Sequence, residues 1–283
     1  MGAAAEIGLT FSRELRRNLR SVKGIVSSLL FLLGGAGALL IYVNVSREMD
    51  RLGPGFDSSA RDQMRRAGLR ALYDDPSTAD HLIGAPTALF FLYKATLFFL
   101  PILCILVGYD QLSGDLQYRT IRYATVRSRR ESLVVGKALG TWVAASLIAL
   151  GLQVFAWILT IARGDATVGV TVAYGMQFWL ATVIYSSGFV GLTMLLSGAF
   201  KTPMLALLTT LAAAFGWWLL RAIVQIPSLK PTMGWLGAIV PGEWEPRLLS
   251  PDVTRFAVGA LALLVIGAVG TLGACGLLRS RDV

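Results

Sequence analysis

Six apolar runs, each about as long as a membrane-spanning helix, constrain the fold of this chain more than any other feature of its sequence. A helix needs roughly 20 mainly apolar residues to cross the hydrocarbon core of a bilayer. It also bonds its own backbone groups, which is required where no water is present. We therefore predict spanning helices over residues 24–43, 85–108, 138–162, 168–196, 203–226 and 256–278.

The composition also favours a polytopic membrane protein. Hydrophobic residues make up 55% of the 283 residues and charged residues only 15%, whereas a soluble domain carries about 25% charged residues. We predict an all-α polytopic membrane protein in which residues 1–283 form a single transmembrane domain. Cys104 and Cys275 fall inside apolar runs, which favours packing between helices over a disulfide. The single histidine, His81, argues against a histidine-built metal site, and we expect no cofactor.

The distribution of charge predicts the orientation of the spans. With a cytoplasmic N-terminus, the inner segments carry 14 basic and six acidic residues, a net charge of +8. The outer segments then carry ten basic and eleven acidic residues, a net charge of −1. Because Lys and Arg are retained on the cytoplasmic side, we predict that both termini are cytoplasmic. The basic excess is then largely a topology signal, which argues against a nucleic-acid partner.

Residues 6–22 have the pattern of an amphipathic helix. Phe11, Leu15, Leu19 and Val22 recur at helical spacing, and four arginines lie away from this apolar stripe. We predict an N-terminal interfacial helix that lies on the inner leaflet of the membrane. A basic flank that only sets the topology is the alternative.

Two longer segments are predicted outside the membrane. Residues 44–84 form the extracytoplasmic loop between the first and second spans. Residues 227–255 precede the sixth span and contain five prolines and two tryptophans. This combination favours short interfacial or re-entrant pieces near the outer leaflet.

The inner segment between the second and third spans, residues 109–137, is far longer than a turn requires. It reads YDQLSGDLQYRTIRYATVRSRRESLVVGK and carries both signs of charge. Asp115 and Arg119 are spaced as an i,i+4 ion pair, and so are Arg127 and Glu131. We predict a helix along the membrane surface that presents a structured face to a soluble partner.

Four short motifs in this inner segment resemble those of a known family. They are Ser113-Gly114-Asp115, Arg119-Thr120-Ile121-Arg122, Ser128-Arg129-Arg130 and Gly136-Lys137. Together with the plan of an amphipathic helix, six spans and an inner segment after the second span, they resemble the ABC-2 type transporter permeases. That family more often has glutamate at the position of Asp115, glycine at that of Arg119, and a proline in the turn near residues 125–127.

The resemblance implies that the chain is a permease subunit that moves a substrate across the membrane with ATP hydrolysed by a separate ABC ATPase subunit. Residues 109–137 would contain the coupling helix, seated in a groove of that ATPase. A second permease chain, the same or related, and membrane lipid are the other expected partners. The expected location is the bacterial plasma (inner) membrane. The expected ATPase-coupling residues are Asp110, Asp115, Arg119, Arg122, Arg129 and Arg130.

The sequence disfavours three other classes of protein. A phosphate-binding loop needs G-x-x-x-x-G-K-[ST], whereas Gly136-Lys137 is followed by Ala138, so we expect no ATP hydrolysis and no enzymatic activity. The serines of the fourth span lack a predicted base, which argues against an intramembrane serine enzyme. No predicted span contains a carboxylate, which argues against an ion-coupled carrier. An ABC-type complex that does mechanical or anchoring work without export stays open.

Lys94 lies inside the second predicted span, about nine residues from its outer end. Intramembrane charges are rare and commonly mark ion or substrate paths. Lys94 is therefore a possible pathway residue that meets an anionic group of the substrate. A side chain that extends to the membrane surface, or that bonds a backbone carbonyl, is the alternative.

Cysteine labelling tests the predicted orientation. A membrane-impermeant thiol reagent should modify a cysteine placed at Arg247 or Asp57 in intact cells, because both positions are predicted to be outside. A cysteine placed at Arg127 should be protected. Labelling at Arg127 from outside would overturn the topology.

Overall fold

The computed structural model describes residues 2–52, 58–73, 75–121, 123, 128–226 and 228–281. Helix accounts for 86% of the structure, and the described residues contain no strand. The α-helices are α1 Ala3–Arg20, α2 Val22–Leu52, α3 Ser58–Leu72, α4 Pro76–Ile83, α5 Thr87–Gly108, α6 Ser113–Gln117, α7 Arg130–Ala162, α8 Val168–Ala199, α9 Pro203–Val224, α10 Lys230–Met233, α11 Pro241–Leu248 and α12 Val253–Arg279. A short 3-10 helix, Gly234–Ile239, lies between α10 and α11.

Six of these helices, α2, α5, α7, α8, α9 and α12, are long and apolar enough to cross a membrane. They coincide with the six predicted apolar runs. The predicted all-α polytopic architecture is therefore confirmed. Below, the inner end of the bundle is the end that holds α1, α6 and the last turn of α12, and the outer end is the opposite one.

Helix α7 begins earlier than the predicted third span. Its first residue is Arg130, eight residues before the predicted start, so residues 130–137 are helical and not part of a surface loop. The physical reason is burial, since Leu133 and Val134 in this stretch already pack into the core. The inner segment between α5 and α7 is therefore shorter than predicted and covers residues 109–129.

Most of the predicted outer loop between the first two spans is helical. Helix α2 continues to Leu52, and α3 and α4 follow. Asp75 caps α4 by accepting the N–H of Thr78 at 3.3 Å, and its other oxygen lies 2.6 Å from Arg255 at the start of α12. The hydrogen bonds from Ser77 and Thr78, and then the Arg255 pair, lower the pKa of the Asp75 carboxyl. The loop is thereby tied to the last helix of the bundle.

Helix α8 is the central helix of the bundle. It packs against α5, α7, α9 and α12, and 72% of its most apolar stretch is buried, against 11% for α9. Several buried hydroxyls on α8, such as those of Thr182, Ser187 and Thr193, are bonded inside the bundle. The Ser187 hydroxyl donates to the carbonyl of Ile184, at 2.6 Å, and lies 3.1 Å from the carbonyl oxygen of Leu263 on α12. Such bonds let polar side chains lie in the core without an unsatisfied group.

Helices α8 and α12 approach each other through glycines. A Cβ added at Gly191 would overlap the carbonyl oxygen of Gly267, and one added at Gly267 would lie 2.6 Å from the carbonyl oxygen of Ser187. Small residues at such a crossing let two backbones touch, which is a main source of packing energy between helices in lipid.

Helix α1 differs from the predicted amphipathic helix in its ends and in its buried face. It covers Ala3–Arg20 instead of residues 6–22, because Ser21 has an extended backbone that separates α1 from α2. The buried residues of α1 are Glu14 and Asn18, whereas Leu19 and Val22 of the predicted apolar stripe are exposed. The predicted position of this helix on the inner leaflet stays a prediction.

The buried face of α1 is polar because of the surface that it contacts on α7. A Cβ at Gly136 would lie 2.6 Å from Cβ of Thr10, and one at Gly140 would lie 2.9 Å from Cβ of Glu14. These two glycines, one helical turn apart, form a flat strip against which α1 lies. The short distance brings the polar groups of α1 within bonding range of α7.

Substitution of Gly191 tests the α8–α12 crossing. Gly191→Ala should lower the free energy of unfolding by about 1–3 kcal/mol, the usual cost of overpacking a core. Gly169→Ala on the same helix is the matched control, because an added Cβ there has nothing within 4 Å. Thermal unfolding in detergent measures both. Equal stability of the two variants would contradict the close approach.

Candidate functional site

A buried ammonium group organises the inner end of the bundle. Lys137 of α7 is 2% exposed. Its Nζ donates to the carbonyl oxygen of Gln111 at 2.6 Å and to Oδ2 of Asp115 at 2.7 Å, and it lies 3.6 Å from Oε1 of Glu14. Because a buried charge is stable only when it is paired and hydrogen-bonded, these three groups hold α6 and α1 against α7.

Side-chain amides extend this network along α1. Arg17 donates to Oε1 of Gln111 at 2.7 Å and pairs with Oε2 of Glu14 at 2.9 Å. The amide nitrogen of Gln111 donates to Oδ1 of Asn18 at 2.9 Å. Gln111 is thus bonded through its backbone to α7 and through its side chain to α1.

Two more contacts fix the start of the inner segment. The Ser197 hydroxyl near the end of α8 accepts the backbone N–H groups of Leu112, at 3.0 Å, and Ser113, at 3.1 Å. Lys23 at the start of α2 pairs with Asp110 and donates to the carbonyl oxygen of Val107 at 3.0 Å. Residues 110–115 are therefore bonded to α1, α2, α7 and α8. We name the inner polar cluster by its side chains: Glu14, Arg17, Asn18, Lys23, Asp110, Gln111, Asp115, Lys137 and Ser197.

The structure brings three of the predicted coupling residues into internal bonds. Asp110 pairs with Lys23, and Asp115 pairs with Lys137. The guanidinium of Arg130 donates to the carbonyl oxygens of Leu278, Arg279 and Arg281 at the end of α12, at 3.0, 3.4 and 3.1 Å. These contacts hold the inner segment and the C-terminal residues in place.

The other predicted coupling residues are differently placed. Arg119 and Arg129 are exposed. The backbone N–H of Arg129 donates to Oε2 of Glu6 at 3.0 Å, and this bond lowers the pKa of the Glu6 carboxyl. Arg122 and Arg127 lie outside the described residues.

The predicted surface helix is described only in part. Helix α6 covers Ser113–Gln117, Ile121 and Tyr123 are also helical, and residues 122 and 124–127 lie outside the described residues. The predicted Asp115–Arg119 pair is wrong, because Asp115 bonds Lys137 and the hydroxyl of Thr120. The buried Lys137 gains more from a carboxylate than an exposed arginine does. Glu131 pairs with Arg279 at the end of α12, and its predicted partner Arg127 lies outside the described residues.

A second buried ion pair lies towards the outer end. Lys94 of α5 pairs with both oxygens of Glu245 on α11, at 2.9 and 3.1 Å. Glu245 is 1% exposed. The ammonium also lies 4.9 Å from the ring centre of Tyr73 and 5.6 Å from that of Phe90, which stabilises the cation further. Neither expected alternative for Lys94, a surface position or a bond to a carbonyl, describes this pair.

Residues 10–271 match a family model described as ABC-2 family transporter protein. The chain belongs to the ABC-2 transporter family. It is therefore an integral membrane protein and a permease-type membrane component of an ABC transporter. None of the curated proteins compared with the chain matches it. Permeases of this family are generally non-catalytic and imply partnership with ABC ATPase subunits.

Arg119 shows how this ABC-2 permease departs from the pattern of its family. The family motif has glycine at this position, and Arg119 has φ of 56°. This left-handed conformation suits glycine and costs another residue about 1–2 kcal/mol. Arg119 therefore holds an exposed cation in a left-handed backbone conformation just after α6.

The sequence analysis missed several residues of both sites. Glu14 and Asn18 are one helical turn apart, and the small residues Gly136 and Gly140 show the same spacing. Matching these two patterns could have indicated that α1 packs on α7. Glu245 has no such signal, because any outer carboxylate could have been the partner of Lys94. Within the described ranges, no group of three or more His, Cys, Asp or Glu side chains could hold a metal ion.

Removal of the buried ammonium tests the inner polar cluster. Lys137→Met should lower the free energy of unfolding by about 3 kcal/mol, the lower end for a broken buried pair, because Asp115 loses its cation while keeping some contact with solvent. Lys201→Met, at an exposed lysine of the same end, should change stability by less than about 0.5 kcal/mol.

A second substitution separates lost charge balance from lost packing. Asp115→Asn added to Lys137→Met should recover part of the lost stability, because the uncompensated carboxylate becomes neutral. Thermal unfolding in detergent measures all three variants. Equal losses in Lys137→Met and Lys201→Met would contradict the cluster.

Proposed function

We propose that this chain moves a substrate across the membrane with ATP hydrolysed by a separate ATPase subunit, which docks on the inner segment. The observation that carries the proposal is the bonding of residues 110–115 to α1, α2, α7 and α8. A force applied to the inner segment is thereby transmitted to several helices at once. A surface loop that only connected two spans would need none of these bonds.

The exposed part of the inner segment is the proposed docking face. Tyr118 is 74% exposed and Tyr123 80% exposed, and Arg119 and Arg129 are also exposed. Tyrosine and arginine contribute more binding energy at protein interfaces than other residue types. Arg122 lies outside the described residues and stays a predicted coupling residue.

This assignment divides the predicted coupling residues into two groups. Asp110, Asp115 and Arg130 are satisfied within the chain and hold the docking face rigidly. Arg119, Arg122 and Arg129 remain for direct contact with the ATPase. Firm attachment of the docking face matters because a flexible attachment would not transmit the movement of the ATPase to the helices.

The proposed mechanism is a shift between two packings of the spans. ATP binding brings a pair of ATPase subunits together and displaces the docking faces. The inner polar cluster then moves as one body with the inner ends of α5 and α7. Such a ligand-driven motion shifts the population from inward-facing to outward-facing arrangements.

Lys94 has a defined place in this mechanism. The Lys94 side chain is 34% exposed and its ammonium is neutralised by Glu245, so an anionic substrate that binds Lys94 would compete with that carboxylate. Glu245 belongs to the short outer helix α11, which lies between α9 and α12. We propose that displacement of α11 exposes Lys94 to the substrate in the outward-facing state.

The functional unit proposed here contains two permease chains. One chain supplies only half of the helices that enclose a pathway in the family it belongs to. Helix α9 is mostly unburied in a single chain, and apolar residues such as Leu208, Phe215 and Trp218 are exposed on it. A second permease chain and lipid would cover these surfaces.

Co-purification with the ATPase tests the docking face. A variant with Arg119→Glu and Tyr118→Ala should bind the ATPase at least tenfold more weakly, since it reverses one exposed charge and removes one aromatic contact. Lys201→Glu, an exposed position of the inner end, is the control and should bind normally. Full ATPase binding and transport by a correctly inserted docking-face variant would refute the proposal.

The complex purified with the ATPase also tests the number of permease chains. Mass measurement in mild detergent or nanodiscs should give two permease chains for each functional complex. Transport by a complex that contains a lone permease chain would contradict this count.

A further inference from the structure

A polar cavity of about 380 Å³ lies at the outer end of the bundle. It opens between the outer end of α2, the connection from α4 to α5, and the turn from α7 to α8. Its lining includes Tyr42, Arg65, residues 83–88, Arg163 and Asp165. The cavity is separate from the Lys94 pair and from the inner polar cluster, and the proposed ATPase docking makes no use of it.

Two guanidinium groups border the cavity, with one carboxylate beside them. Arg65 donates to the carbonyl oxygens of Leu82, at 3.3 Å, and Ala85. The Nε of Arg163 pairs with Oδ2 of Asp165 at 3.1 Å. The Nη1 of Arg163 is buried and has no hydrogen-bond partner among the described residues. The lining therefore carries one excess positive charge and a guanidinium that is only partly satisfied.

The backbone beside these arginines adds to the attraction for an anion. The first turn of α5 borders the cavity, and the N-cap residue Pro86, which precedes it, has no side-chain group that could cap the helix. The first backbone N–H groups of a helix have no intrahelical acceptor, and the positive end of the helix dipole favours negative charge. The cavity, the two arginines and the start of α5 thus all favour an anionic ligand.

We propose that this cavity binds a phosphate-type anion, supplied either by the phosphodiester of a lipid headgroup or by free phosphate. Guanidinium groups match the oxygens of a phosphate with paired hydrogen bonds. One excess positive charge balances the single negative charge of a phosphodiester. The cavity lies at the ends of four membrane-length helices, the level at which lipid headgroups meet a membrane protein.

Binding to the purified full-length protein in detergent tests the site. The probes are phosphatidylglycerol, inorganic phosphate, and a diacylglycerol with the same acyl chains but no phosphate. Native mass spectrometry and thermal shift measure each of them. Wild-type protein should bind at least one phosphate-bearing probe. Diacylglycerol should give neither a bound mass nor a thermal shift of comparable size.

Substitutions assign the binding to the cavity. Arg163→Gln should weaken binding of the phosphate-bearing probe at least tenfold. Arg70→Gln is the matched control, because Arg70 pairs with Asp80 in the same way at the outer end and does not line the cavity. Asp165→Asn should strengthen binding several-fold, because it removes the one carboxylate among the described lining residues and frees Arg163. This opposite effect keeps the test valid if Arg163→Gln fails to fold.

The outcomes distinguish a lipid headgroup from free phosphate as the ligand, and some of them would refute the proposal. Binding of phosphatidylglycerol alone identifies a lipid headgroup as the ligand, and binding of inorganic phosphate shows that the anion suffices. Absence of binding by both phosphate-bearing probes would overturn the proposal. Equal affinity in Arg163→Gln and wild type, or weaker binding in Asp165→Asn, would also overturn it.

Discussion

The buried ammonium of Lys137 is the constraint on which the inner half of this structure depends. An unpaired charge at that depth would cost several kcal/mol, so the surrounding chain supplies a carbonyl and two carboxylates. This need explains why α1 presents Glu14 to α7 and why Asp115 faces inward. Residues 110–115 are therefore bonded to the helix bundle at the start of the inner segment.

The spans differ in how tightly they pack, since α8 forms a buried centre and α9 is exposed on one side of the bundle. Helix α8 is almost surrounded, and its glycines let α12 approach at backbone distance. Helix α9 contributes little to this core. Since van der Waals packing drives association in lipid, the tightly packed helices should move together, and the exposed surface of α9 remains for lipid or another chain. This division suits a permease that works with further subunits.

The same rule of charge compensation operates at the outer end. Lys94 lies in an apolar helix and is compensated by Glu245, which arrives from a short helix 151 residues later in the chain. Asp75 and Arg255 similarly connect the outer loop to α12. Arg163 pairs with Asp165 in the same way, but its Nη1 is buried without a described hydrogen-bond partner. This remaining donor is one reason why we propose an anion site beside it.

The sequence by itself determined the number and approximate position of the spans, the helical class, the location of the inner segment and the family. Each of these follows from local properties, since the hydrocarbon thickness sets the length of an apolar run and the family motifs are contiguous. Only the tertiary structure decided the partners of the charges, the early start of α7 at Arg130 and the polar face of α1. The physical reason is that a buried charge takes whichever opposite group the packing of distant helices brings within bonding distance. Lys137 and Glu14 are neighbours because two glycines on α7 let α1 come close, which no local pattern in the inner segment specifies.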